Sequence, residues 1–284
     1  MASLKLLSWN MKQKASNWQV VLDSGVDLAM LQEAKDPPAE LEGILIARHE
    51  VGLTENNLPW RAVVANLANN EKFELIPFKT QPLGGSDPEA LMVSRPGTLD
   101  AVLVRLKETG EEITVVSLYS TWMNPIKQTG SSWIFADTSA HRLISDLCGL
   151  IGNQKGHKII VAGDLNILYG YGEEKSPYWK GRYNTVFDRI AAIGLRFVGP
   201  QAPYGGRQAE PWPEELPEDS LNVPTFHSSK QTPGSATRQL DFVFASESIA
   251  DRVKVKALNG VEEWGPSDHC RILIELSGLN YSLE

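Results

Sequence analysis

Cysteine is nearly absent from this 284-residue chain. Its two thiols, Cys148 and Cys270, show no C-x-x-C spacing, which excludes a disulfide-stapled scaffold and a thiolate zinc site. Each stands among apolar neighbours and is expected to be a buried thiol. No apolar run approaches the roughly 20 residues needed to cross a bilayer. The opening stretch Met1-Ala2-Ser3-Leu4-Lys5 has neither the charged n-region nor the long apolar h-region of a secretory signal, so a cytoplasmic location is expected. Positive charge is in deficit, with 27 Lys and Arg against 35 Asp and Glu and a net charge of −8. Phosphate neutralisation supplies most non-specific affinity for nucleic acid, so this acidity counts against tight duplex binding. It leaves room for an enzyme that binds transiently and gathers carboxylates around a cation. There is no G-x-G-x-x-G turn and no Walker lysine, which sets aside a regular βαβ nucleotide fold. No internal repeat or low-complexity tract appears.

What is present is ordinary globular material, 42% apolar and 22% charged, at a length that suits one large α/β domain or two small ones. The most informative stretch is Ile159-Ile160-Val161-Ala162-Gly163-Asp164-Leu165-Asn166. Its continuous apolar run predicts a strand buried on both faces. Gly163 permits a turn or a close backbone approach. Asp164 and Asn166, two apart, then project to the same side of an extended chain. Such a pair suits a phosphate or a metal ion, or else simply satisfies loop backbone.

Other strands end the same way. Leu4 to Asn10 and Leu28 to Glu33 are apolar runs closing on a polar residue, and Ile113 to Ser120 closes on Tyr119-Ser120. Trp60 to Asn66 and Phe73 to Phe78 read as antiparallel strands about a turn at Asn69-Asn70, and Thr98 to Leu106 pairs with the strand from Ile113 as a hairpin. Gln239 to Ala245, carrying Asp241, and Arg271 to Leu276 are further strands, and Thr225-Phe226-His227 resumes one. Val253 to Leu258 alternates Val with Lys, as lysine-protected edge strands do. Helices are few: a short one from Asn17, one capped by Ser131 or Ser132 with Ala140, Ile144, Leu147, Cys148 and Ile151 inward, and Arg182 to Gly194 with Asn184 as a possible cap. Gln81 to Glu89 and Gln201 to Pro224 read as loops. Many strands and few helices predict a layered α/β sandwich with mixed, mainly antiparallel sheets.

The polar strand ends collect as Asn10, Glu33, Tyr119, Asp164, Asn166, Asp241, Asp268 and His269. Oxygen donors without a histidine or cysteine cluster point to a hard cation, Mg²⁺ with Mn²⁺ able to substitute, rather than zinc. Ser8-Trp9-Asn10, Leu31-Gln32-Glu33, Gly163-Asp164-Leu165-Asn166, Leu240-Asp241-Phe242 and Ser267-Asp268-His269 resemble, in order, the signature motifs of the endonuclease/exonuclease/phosphatase family. That resemblance spans the chain from first strand to last. It implies one domain over 1–284, a four-layer sandwich of two sheets packed face to face with helices outside. It also implies Glu33 as the main metal ligand with help from Asn10 and Asp268, and Asp164 as the residue that positions or deprotonates the attacking water. Asn166 would hold a phosphate oxygen. Asp241 would fix the ring of His269, and His269 would contact the scissile phosphate. The implied activity is Mg²⁺-dependent phosphodiester hydrolysis, first as an endonuclease on DNA or RNA, by a chain with no evident protein partner that is expected to be monomeric.

One departure is visible. Where secreted deoxyribonucleases of that family carry a second histidine, this chain has Tyr119, which either donates a hydrogen bond to phosphate or is packed at its strand end. Lys12, and Lys180 with Arg182 in the aromatic stretch Ser176 to Tyr183, are candidate substrate contacts; plain solvated surface is the other reading. His49, His141, His157 and His227 have no ligand-like spacing. Two rival functions stay open: a phosphatase on inositol phosphates, phospholipids or other small phosphate esters, and a catalytically silent binding protein of the same fold.

Overall fold

The strands are amphipathic in two senses, because each sheet must bury one face against its partner sheet and the other beneath a helix. The computed structural model describes residues 2–46, 61–67, 72–130, 134–153 and 156–279. One six-stranded sheet has the order β13 (Val253–Leu258), β14 (Arg271–Leu279), β1 (Ala2–Asn10), β2 (Leu28–Ala34), β4 (Arg61–Asn66), β3 (Leu45–Ile46). The other runs β11 (Leu195–Gly199), β12 (Asp241–Ser246), β10 (Ile159–Asp164), β9 (Glu112–Tyr119), β8 (Leu99–Leu106), β5 (Phe73–Pro77). Only β1 with β2 and β9 with β10 pair in parallel within these two sheets, so both are mixed and mainly antiparallel.

Leu4, Leu6, Leu28 and Met30 meet Val102, Val104, Ile160, Ala162 and Val243 in the core between the sheets. On the far side of the first sheet, Leu7, Trp9 and Leu31 pack beneath Trp18 and Val21 of the short helix α1 (Asn17–Leu22). On the far side of the second, Val161, Phe242 and Phe244 are covered by Leu143, Ile144 and Leu147 of α2 (Ala136–Leu147) and by Val186, Phe187 and Ile190 of α3 (Pro177–Ala192). The four-layer sandwich is therefore the observed architecture. β10 shows why its sequence does not alternate: Ile160 and Ala162 belong to the inter-sheet core, Ile159 and Val161 to the helix-covered one. A strand wet on neither face has no place for a polar residue until its end.

Several local expectations are corrected. α3 begins at Pro177, with Ser176 as N-cap, rather than at Arg182. Proline suits the first helical position, where its missing N–H is not needed. Trp179 and Tyr183 extend the buried stripe of Val186, Phe187 and Ile190 backwards by two turns, so the aromatic stretch is helix and Asn184 lies inside it. α2 starts at Ala136 after Phe135; Ser131 and Ser132 lie outside the described residues, as do Trp60, Asn69-Asn70 and His49. Cys148 falls where α2 tightens into a 3₁₀ turn, which rotates it out of the stripe, and it is exposed; Cys270 is buried. β11 follows Gly194 directly, in a stretch with no strand expected, and Gln81 to Glu89 includes β6 (Thr80–Pro82), paired with β7 (Leu91–Val93). Thr225 to His227 is not a strand: Phe226 makes isolated bridges to Arg238 and His269. β13 is the lysine-bearing edge strand its pattern predicts.

Candidate active site at the shared rim of the sheets

Strand direction assembles the site. In a parallel pair the C-terminal ends lie together, so Asn10 (opposite Gln32) and Glu33 leave β1 and β2 side by side, and Asp164 lies opposite Tyr119 at the ends of β10 and β9. β12 runs the other way, which puts its first residue, Asp241, against Asp164. β14 is antiparallel to β1, so Asp268 and His269, just ahead of it, return to the same rim.

Hydrogen bonds join the two sheets here. The Asn10 amide Nδ2 donates to Glu33 Oε1 at 3.3 Å and to Asp164 Oδ2 at 3.0 Å. The Tyr119 hydroxyl donates to Glu33 Oε1 at 2.8 Å, and Gln13 Nε2 to Glu33 Oε2 at 3.4 Å. The Asn166 N–H donates to Asp164 Oδ1 at 2.9 Å, and its Nδ2 donates to the Ser120 carbonyl at 2.8 Å and to Asp164 Oδ2 at 3.2 Å. His269 Nδ1 donates to Asp241 Oδ2 at 2.8 Å, while its Nε2 faces Asp164 Oδ2 at 3.7 Å. Lys12 Nζ pairs with Asp268 Oδ2 at 2.7 Å.

Lys12, Gln13, Glu33 and Asn166 all hold positive φ, between 48° and 56°. That conformation costs a side-chain-bearing residue about 1 kcal/mol each, and four at one rim mark a backbone shaped by its side-chain contacts.

Burial divides the site into a floor and an open edge. Asp164, Asp241 and His269 are at most 4% exposed, whereas Glu33 and Asp268 reach solvent. Burial pushes the Asp164 carboxyl up from the usual carboxylate range, outweighing the charge of His269 that opposes it. Burial alone would lower His269, but the charges of Asp241 and Asp164 outweigh it and push the imidazole well up from its ordinary value. The floor thus sets an imidazole whose protonated form is favoured between two buried carboxyl groups. Burial, then the Asp164 and Glu33 charges, push the Tyr119 phenol far up, so it stays protonated with its hydrogen on Glu33.

Donor atoms of Asp164, Asp241 and His269 all lie within 4.8 Å of one another, a spacing compatible with a metal ion. His269 Nδ1 is committed to Asp241, which leaves Nε2 as the one ring atom open to a ligand. The open edge supplies a different set: two Glu33 oxygens and the Asp268 carboxylate, with the buried Asn10 side-chain oxygen, which accepts the Lys12 N–H at 2.9 Å, beside them. Among the described residues no lysine or arginine pairs with Glu33, whose partners are neutral amides and a phenol. An all-oxygen, partly wet set with an uncompensated carboxylate fits a hard divalent cation.

Lys180 and Arg182 are not brought here. Neither side chain hydrogen-bonds any of the eight strand-end residues among the described residues; Lys180 is exposed on α3, and Arg182 pairs with buried Asp137 at 2.7 Å beneath the rings of Phe135, Tyr178 and Trp179.

The sequence reading also missed supporting groups. Trp9 Nε1 donates to the His269 carbonyl at 2.9 Å, Ser267 Oγ to the Asn10 carbonyl at 2.7 Å, and the Phe226 ring lies 5.0 Å from that of His269. Trp122, three residues past Tyr119, donates its indole N–H to Asn166 Oδ1 at 2.7 Å. Only its nearness to a polar strand end hinted at this. No helix among the described residues is long and apolar enough to cross a membrane.

No protein-family model and no curated protein matches the sequence. Solved structures do match in fold over nearly the whole chain. The endonuclease domain of TRAS1, a telomere-specific non-LTR retrotransposon, is similar at TM-score 0.60 and 16% identity, covering 97% of this chain and 98% of that one. The AP endonuclease LMAP from Leishmania major has TM-score 0.60 and 16% identity over 97% and 88%. An endonuclease/exonuclease/phosphatase from Bacteroides vulgatus has TM-score 0.56 and 16% identity over 98% and 99%. The chain has the fold these proteins share.

Proposed function

We propose that this chain, built on the endonuclease/exonuclease/phosphatase fold, is a divalent-metal-dependent phosphodiesterase acting on nucleic acid. The observation that carries the reading is the Asp241–His269–Asp164 line beneath an edge of carboxylate and amide oxygens in which Glu33 has no cationic partner among the described residues. Similar structures named as nucleases lend the substrate class.

Glu33, Asp268 and the Asn10 side-chain oxygen would hold the cation, which when bound supplies charge neutralisation to a phosphate and its departing oxygen. Magnesium is the expected ion, with manganese able to substitute. The residues of the chain do the rest. Asp164, fixed by the Asn166 N–H and the Asn10 amide, orients the attacking water and accepts its proton; its raised pKa suits that task near neutral pH. His269, charged and aimed by Asp241, donates from Nε2 to a phosphate oxygen as negative charge grows there. Asn166 would exchange its Nδ2 bond to the Ser120 carbonyl for one to a second phosphate oxygen, keeping the bond to Asp164. Tyr119 does not reach the phosphate in this reading; it orients Glu33. Lys12, already on Asp268, balances that carboxylate until substrate arrives. The whole of residues 1–284 is taken as one catalytic domain.

Glu33→Ala and His269→Ala, assayed with Mg²⁺ and Mn²⁺ on plasmid, single-stranded RNA and a phosphoinositide panel, test this. The expectation is at least a 100-fold loss of diester hydrolysis for each, with no loss of thermal stability in Glu33→Ala beyond about 1 kcal/mol. Full nuclease activity in purified Glu33→Ala protein refutes it. Turnover of the phosphoinositides alone would move the chain to the small-ester reading.

A further inference from the structure

Trp122 is 58% exposed, although it lies at the rim of the site and bonds a residue in it. An indole fixed at the rim with that much surface in water offers a substrate a rigid apolar face. Its N–H is committed to Asn166 Oδ1 at 2.7 Å, and Asn166 is in turn tied to Asp164 and the Ser120 carbonyl. The ring is therefore held in a fixed place one residue away from the candidate water-orienting carboxylate, with its apolar surface in solvent.

The charges around it narrow what that surface is for. The chain carries −8 overall, Lys12 is paired with Asp268, Lys14 Nζ donates to the Pro266 carbonyl and Arg182 is bound to Asp137, while beside the ring Arg95 donates to Thr121 Oγ1 and Arg142 to Met123 Sδ. Those few cations can hold a phosphate or two beside the ring, but an acidic chain gains little from the long run of backbone phosphates that supplies duplex affinity. Stacking on an aromatic ring needs no positive charge and tolerates any base, but the base must be out of its own stack. Beyond Trp122, the Phe135 N–H donates to the Met123 carbonyl, and Phe135 shares the Arg182 guanidinium with Tyr178, itself 60% exposed. Aromatic surface thus continues away from the site through Phe135 to Tyr178 at the start of α3.

We infer that Trp122 is a stacking platform for the base next to the scissile phosphate, so that the substrate is a single strand or an unpaired end rather than an intact duplex. This rests on the phosphodiesterase reading for the reaction, but not for the binding. While stacked, the ring also keeps Asn166 turned with its amide toward Asp164.

The test compares wild type, Trp122→Ala and Trp122→Phe on a thymidine hexanucleotide, an abasic hexamer of the same length, and a duplex. Binding is read by fluorescence anisotropy of labelled oligomers in EDTA, hydrolysis as kcat and KM in Mg²⁺. Stacking on one base is worth about tenfold or more in affinity. The preference of wild type for the hexanucleotide over the abasic oligomer should therefore fall about tenfold in Trp122→Ala, in KM more than in kcat. Trp122→Phe, which keeps a ring without the N–H, should restore it. An equal loss on base-bearing and abasic oligomers, or no recovery with Phe, would show that Trp122 acts only through Asn166 and overturns the inference. Tighter binding of the duplex than of the single strand overturns it too. If wild type hydrolyses none of the three, the proposed reaction fails, and the anisotropy ratio still decides the stacking.

Discussion

Replacing Gly163 with alanine probes the framework beneath the site without touching any polar group. Gly163 does not occupy the left-handed region, so the requirement is space rather than backbone freedom. A Cβ there would sit 1.9 Å from the Leu118 carbonyl oxygen, 2.8 Å from its carbon and 3.1 Å from its nitrogen. All three are backbone atoms of β9, opposite Gly163 in the parallel ladder, so no side chain can swing away. The nearest is roughly 1.5 Å inside ordinary contact, and β9 and β10 must separate to relieve it. Overpacking of a tight core costs about 1–3 kcal/mol, and each ladder bond lost between these strands adds about 1 kcal/mol. A loss near 3 kcal/mol lowers Tm by roughly 6–12 °C in a chain of this size. The shift also carries Asp164, the next residue, away from Tyr119 and Asn10. A displacement of about 1 Å at a reacting group lowers the rate by about 100-fold. Circular dichroism melts of metal-free protein give the first number, and diester hydrolysis at a temperature where both proteins are folded gives the second. A Gly163→Ala protein that melts within 1 °C of wild type would show that the close approach of β9 and β10 is not a constraint.

Two further outcomes follow from the same geometry. In Asp241→Asn the carboxylate that favours the imidazolium is gone, so the His269 pKa should fall. In wild type its stabilising contribution is complete below the ordinary histidine value of about 6.5 and fades as pH rises toward the elevated folded one; in the variant that alkaline decline should shrink. Side-chain ¹⁵N NMR of metal-free protein at pH 8 reads it directly, and a neutral ring in wild type would contradict it. Arg182→Ala leaves Asp137, 3% exposed, without its cation and should cost about 3 kcal/mol, with kcat/KM on oligonucleotides changed less than threefold. A normal melt with collapsed hydrolysis would return Arg182 to the substrate side.

The strand-end residues were legible because each closes an apolar run, and a run that loses its hydrophobicity at one residue announces where a buried strand meets solvent. Asn10, Glu33, Tyr119, Asp164 and Asn166 were marked in this way. Lys180 and Arg182 were singled out by a different cue, basic residues interleaved with aromatics. That cue does not reveal the helix that starts at Pro177, in which Trp179 and Tyr183 are buried positions and Arg182 pairs with Asp137. β11 was missed because five residues after a helix-stopping glycine carry too short a pattern, and its strand character comes from pairing with β12. Cys148 shows the opposite failure: its helical spacing was right, but the helix had already tightened.

The residue pattern on its own determined most element types, the layered sandwich of mixed sheets and the polar residues that leave the strands, because burial periodicity is a property of local chain geometry; the four-layer form was implied by the family resemblance. Only the folded molecule decided which of them meet. Asp241 and His269 lie 28 positions apart and Asn10 and Asp164 lie 154 apart, yet both pairs are within hydrogen-bond reach. Their meeting depends on strand direction and register in two facing sheets, which thousands of weak contacts set together and no single stretch encodes. The same holds for Trp122, whose bond to Asn166 joins residues 44 positions apart that only the ends of parallel β9 and β10 bring side by side.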